Sequence, residues 1–162
     1  FVASFIGWLA GFAVVFELSR TLWVHVYMLP LTHLARLALG LLGLPAQVVE
    51  PTATAVFCLL QVEDIVYRVT FECTGIFALF LCLACILAFP TRGLVRFQGL
   101  LLVIPAFAAY SALRLVVLGL VAHWSPAHID LFHLYVMVVA NIGFVLGLWL
   151  YWLNTAVETD LP

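Results

Sequence analysis

Residues 73–90 read CTGIFALFLCLACILAFP, an uncharged apolar run closed by a proline. A bilayer's hydrocarbon core is about 30 Å thick and a helix rises about 1.5 Å per residue, so roughly 20 such residues make a membrane span. The rest of the chain agrees: of 162 residues, 67% are apolar and 9% charged, with a mean hydropathy of +1.24. A soluble domain is about half apolar and about a quarter charged. All six basic residues are Arg and the net charge is -2, which provides neither a phosphate-binding surface nor a polybasic lipid anchor. Nucleic acid is therefore not an expected partner, whereas membrane lipid is. The four Cys form neither a secreted disulfide framework nor a metal-ligand spacing.

Outward from this run, three more stretches reach or approach span length. Residues 1–18 are apolar, with Gly7 and Gly11 four apart, a pair that lets another helix approach closely. Phe1 is not Met and already lies inside an apolar run, so the native start is expected upstream. Residues 97–124 hold Arg114, and residues 126–153 open on Ser125-Pro126, an N-cap followed by a proline at the first helical position. Between the first two spans, residues 22–44 are apolar but interrupted by His25, Pro30, His33 and Arg36, the pattern of a broken amphipathic helix along the interface. Pro45 and Pro51 punctuate the chain. Then Ile65, Tyr67, Val69 and Phe71 alternate with Val66, Arg68, Thr70 and Glu72, with Glu63-Asp64 at a turn, predicting a hairpin over 56–72. The expectation is one all-α integral membrane domain over 1–162. It has four transmembrane helices (1–18, 73–90, 97–124, 126–153), an interfacial helix (22–44) and a small extracytoplasmic β-hairpin before the second span.

The loop 91–96 carries Arg92 and Arg96 and no acid, which favours the cytoplasm. Arg20, Arg36 and Arg68 in the long segment are interleaved with Glu17, Glu50, Glu63, Asp64 and Glu72, so the dense short loop is given more weight. Both termini are then cytoplasmic. Cys73, the end of the third span and the start of the fourth fall on the opposite side.

Three reactive side chains thus meet in one leaflet, each with two readings. Cys73 at a helix N-terminus has its thiolate favoured by the unpaired N–H groups, with Glu72 opposing; it is equally a small apolar residue of a buried helix. Cys82 and Cys85, deeper in the span, read as the latter. Arg114 inside a span costs about 2.5–3.5 kcal/mol on insertion scales. It either pairs structurally with Glu72 or Asp130 or stands as a fixed cation beside a developing oxyanion. His133 is a general acid and base oriented by Asp130 three residues earlier, or a hydrogen-bonded interfacial histidine. His123, His128 and His133 recur every five residues, a spacing that does not stack metal ligands on one helical face.

Three motifs in order carry a resemblance: Glu72-Cys73-Thr74-Gly75-Ile76 opening an apolar helix, Ser111-Ala112-Leu113-Arg114-Leu115 in the next, and Phe132-His133-Leu134-Tyr135 in the last. Over about residues 60–152 the chain resembles the exosortase/archaeosortase family, most closely the short single-domain exosortase H type. Thr74, Ser111 and Met137 stand where the family often has Ser or Asn, Asn, and Gly. The resemblance implies a membrane-embedded cysteine transpeptidase, a protease-type hydrolase, in the inner membrane of a bacterium or archaeon, its site facing the extracytoplasmic side. Its partners would be exported proteins with a C-terminal sorting signal: a motif, a transmembrane helix and a basic tail. Cys73 would form a thioester, Arg114 stabilise the oxyanion and His133 move the proton, with no metal or organic cofactor. The competing expectation is a non-enzymatic membrane scaffold or transporter subunit with a structural intramembrane Arg.

Overall fold

The computed structural model describes residues 1–49, 52 and 55–160; Glu50 and Pro51, used above for charge and chain punctuation, lie outside them. Helix α1 (Val2–Leu18) is followed after Ser19 by the helical rod α2 (Arg20–Leu41). The break expected in this segment does not occur. Val24–Met28 widens into a π turn and Leu29–Leu41 resumes the α-helix, with Pro30 in its first turn, where a missing N–H is tolerated. Its buried residues Val24, Met28, Leu31, Thr32, Ala35 and Leu39 fall at helical spacing and form a single stripe.

The expected hairpin is two strands of a three-stranded sheet. Strands β1 (Ala46–Val49), β2 (Cys58–Val62) and β3 (Ile65–Val69) pair antiparallel in that order, Ala46 opposite Val62 and Leu60 opposite Tyr67. Glu63, in the turn between β2 and β3, takes a left-handed φ of 52°. Tyr67 and Val69 turn inward while Val66 and Arg68 are exposed, as the alternation requires. The alternation stops at Thr70, an extended residue preceding the one-turn helix α3 (Phe71–Thr74).

The span expected at 73–90 is corrected in one respect: it is not a continuous helix. Gly75 adopts φ 69°, separating α3 from α4 (Ile76–Ala88), so Cys73 sits on the turn ahead of the apolar helix. Helix α5 (Gly93–Trp124) buries Val95, Gly99, Val103, Phe107, Ser111, Arg114, Leu118 and Ala122, one stripe at three- and four-residue spacing. The last rod, α6, runs through a 3-10 turn (Pro126–His128), a short α turn (Ile129–Leu131), a π turn (Phe132–Val136) and the α-helix Met137–Asp160. Among the described residues, three helices are long and apolar enough to cross a membrane: Arg20–Leu41, Gly93–Trp124 and Pro126–Ala156. Helices α1 and α4 are apolar but shorter.

Two contact layers order the bundle. In one, Phe1 and Trp152 pack edge-on against Phe89, Arg96 donates two hydrogen bonds to the Phe89 carbonyl, and the Trp152 indole donates to the Val95 carbonyl. Gly99 admits that indole; a Cβ there would overlap it. In the other layer Phe16 meets Phe71 edge-on at 4.8 Å, and Arg114 and His133 approach the α3 turn. Arg114 stands eighteen positions after Arg96 and Trp152 nineteen after His133, about 27–29 Å of helix. Helix α2 lies beside the far part of α5: Tyr27 meets Ser111, and Leu39 packs on Gly119.

Candidate active site

The α3 turn is held from several sides. Its last carbonyl, on Thr74, accepts a hydrogen bond from the Ser111 hydroxyl at 2.6 Å and a longer one from Tyr27 at 3.4 Å, and those two hydroxyls meet at 3.2 Å. The Thr74 hydroxyl donates back to the Phe71 carbonyl. Ser111 and Arg114 lie three apart on one face of α5, so the helical turn that anchors Thr74 also delivers the guanidinium. Arg114 is only 7% exposed, and its Nη2 reaches the Glu72 backbone carbonyl at 3.5 Å. No carboxylate forms an ion pair with it among the described residues. Its Nε has no hydrogen-bond partner, and its charge lies 5.9 Å from the centre of the Tyr110 ring, at the edge of cation–π range.

His133 arrives on the π turn of α6, and its Nε2 lies 3.7 Å from Cys73 Sγ. The Thr70 hydroxyl is 3.5 Å from the same sulfur. Burial alone raises the Cys73 thiol. Its hydrogen bonds to His133 and to Thr70, through backbone and hydroxyl, outweigh burial and hold it below the ordinary thiol value. Cys58, buried at the start of β2, shows the other outcome: burial, opposed only by a hydrogen bond to Thr32, pushes it up to about 11.

Of the five residues singled out in the sequence, the structure brings Cys73 and His133 into contact and sets Arg114 against the same turn. Glu72 is exposed, with its carboxyl held below the usual range first by a hydrogen bond to Thr70 and further by the charge of Arg20. Asp130 is exposed and makes no hydrogen bond to His133. His123 pairs with Glu63 at 2.8 Å and His128 with Ser125 at 2.7 Å, so neither joins His133.

Four residues at the site went unassigned in the sequence: Thr70, Tyr27, Tyr110 and Asn141. Thr70 had a signal, since Thr-x-x-Cys places a hydroxyl three residues before the sulfur. Asn141, an amide within an apolar run, had one as well. Tyr27 had none, because only the packing of α2 against α5 brings it to Thr74. Compared with protein-family models, with curated proteins and with solved structures, the chain matches none of them.

Proposed function

We propose that the chain is a membrane-embedded cysteine transpeptidase that cleaves exported proteins at a C-terminal sorting signal, as its three exosortase-like motifs imply. The observation that carries this reading is the 3.7 Å approach of His133 Nε2 to Cys73 Sγ, beside a buried Arg114 with no ion-paired carboxylate among the described residues. A structural arginine in a membrane is compensated by a carboxylate or by backbone carbonyls. Here the guanidinium meets one carbonyl, that of Glu72, at 3.5 Å and its Nε has no partner, which supports a role toward charge that develops during reaction.

His133 takes the Cys73 proton, and the thiolate attacks the scissile carbonyl carbon. The carbonyl electron pair moves to oxygen, where Arg114 stabilises it. Collapse breaks the C–N bond, and His133 returns the proton to the leaving amine; proton transfer of this kind contributes typically 10²–10⁴-fold. The remaining thioester is attacked by an acceptor nucleophile or water whose proton passes to His133, and Cys73 leaves as the thiol. In this proposal α1, α4, α5 and α6 cross the membrane between the two contact layers, about one hydrocarbon thickness apart. Helix α2 then flanks the outer part of α5 with the sheet, and the Arg92/Arg96 loop faces the cytoplasm. The Cys73 layer faces outward from the inner membrane of a bacterium or archaeon.

The test is Cys73→Ala and Cys73→Ser with a co-expressed exported protein ending in motif, helix and basic tail. Both variants are expected to insert normally and to leave the substrate uncleaved; continued cleavage in both overturns the assignment.

A further inference from the structure

Beside Cys73 lie polar atoms that the three reacting groups do not use. Arg114 Nε, Asn141 Oδ1 and the Tyr110 hydroxyl are each buried and each without a hydrogen-bond partner. Two side chains of this set converge on one point. A Cβ on Gly75 would lie 3.0 Å from Arg114 Nη1 and 3.6 Å from Asn141 Oδ1, so a donor and an acceptor both face the bare Cα of the turn that carries Cys73. An unpaired buried polar atom is costly, so the open Arg114 Nε and Asn141 Oδ1 on these two side chains call for a ligand offering both complements. A carboxylate answers only the donor. A peptide unit answers both, with C=O toward the guanidinium and N–H toward the amide oxygen.

Asn141 stands eight residues after His133 on α6, about 12 Å further along the helix and toward the Trp152 layer. A substrate whose cleaved carbonyl lies at Cys73 and whose following residues enter the bilayer sends its leaving-side chain past this point. Resting on the acyl-transfer reading above, we infer that Asn141 is a substrate-binding residue: its Oδ1 accepts the N–H on the leaving side of the scissile carbonyl while Arg114 holds the oxygen. Tyr110, its ring stacked on Phe144 at 4.0 Å, lies one turn before Arg114 on α5 with its ring centre 5.9 Å from the guanidinium.

The inference is tested without knowing the natural substrate. The probes are two acetyl-alanyl α-ketoamides, one with a secondary amide N–H on the leaving side and one N-methylated there. Each forms a reversible thiohemiketal: the Cys73 sulfur bonds to the ketone carbon, and the thiol proton passes to its oxygen. Purified full-length protein in lipid nanodiscs is incubated with probe, then with iodoacetamide, and Cys73 alkylation is read by mass spectrometry against each variant's own probe-free rate. The parent protein is expected to be protected at an at least tenfold lower concentration of the N–H probe than of the N-methyl probe. In Asn141→Leu the two concentrations should fall within about twofold. Asn141→Ala gives the same reading if Leu does not fold. A parent protein that does not discriminate, or is protected by neither probe, overturns the inference, as does an Asn141 variant that keeps the parent's ratio. The underlying reading fails separately: His133→Ala would then leave the probe-free alkylation rate of Cys73 unchanged.

Discussion

Gly75→Ala separates the site from the scaffold. Gly75 sits at φ 69°, where a residue with a Cβ costs about 1–2 kcal/mol more than glycine. For a chain of this size that is a fall in melting temperature of about 2–8 °C. The methyl would also press on Arg114 Nη1 at 3.0 Å, displacing the guanidinium by a few tenths of an ångström from the turn that carries Cys73. Removing an oxyanion donor outright costs about 10²–10³ in rate, so a displaced donor should slow cleavage per folded molecule by about 10- to 100-fold. Gly99→Ala is the paired control. Its methyl collides with the Trp152 indole in the opposite contact layer, an overpacking cost of about 1–3 kcal/mol. It should therefore lower the melting temperature at least as much, yet leave cleavage per folded molecule within about twofold. Gly143→Ala, with no atom within 4 Å of its new methyl, should change neither. Melting is followed by fluorescence on the purified variants and cleavage on the co-expressed substrate. If Gly75→Ala and Gly99→Ala slow cleavage equally, or Gly75→Ala does not slow it, Arg114 is not the group that stabilises the oxyanion.

Alkylation against pH should rank the thiols. Cys73 is half-ionised below the usual thiol range, whereas Cys58 needs pH of about 11. Because the bond to His133 favours the thiolate, His133→Ala should move the Cys73 midpoint upward and leave that of Cys58 in place; a downward shift would contradict the hydrogen bond's sign. Arg114→Lys keeps the charge but loses the planar fork, and cleavage should fall at least tenfold with insertion intact, against a near-normal rate if the cation is only structural. Ser111→Ala strips the shorter hydrogen bond from the buried Thr74 carbonyl and should destabilise by about 1–3 kcal/mol. Tyr27→Phe removes the longer one and should cost less; the reverse order in denaturation would refute the assignment of Ser111 as the main anchor.

What the sequence could carry is what depends on neighbours along the chain. The apolar runs, the β2–β3 alternation and the N-terminal placement of Cys73 are local patterns, and hydrophobic periodicity reports them directly. The π turns at Val24–Met28 and Phe132–Val136 are not visible this way, since one inserted residue leaves composition and hydropathy unchanged. Strand β1 escaped because Ala46–Val49 is only four residues long and pairs with a strand that begins only at Cys58. The residues 22–44 misled for a different reason. Pro30 and the two histidines read as interruptions, but the π bulge places Pro30 at a helix start, and the rod continues without a break. Spacing alone pairs Asp130 with His133. The π turn at Phe132–Val136 changes the angular offset between residues of that rod, and Asp130 makes no hydrogen bond to the ring.

The absence of an ion-paired carboxylate at Arg114 among the described residues links the fold to the proposed chemistry. A guanidinium paired with Glu72 would be cheaper to bury but would present little field to a substrate, because its charge would already be answered. The fold keeps that carboxylate away by a local device. Thr70 follows the strand in an extended conformation, and Glu72, two residues on, stands exposed on the outer side of the turn. Only the backbone carbonyl of Glu72 is left facing Arg114. Substituting Thr70 by Val removes the hydroxyl 3.5 Å from the Cys73 sulfur and should move the pH midpoint of Cys73 alkylation upward; an unchanged midpoint would refute its part in favouring the thiolate.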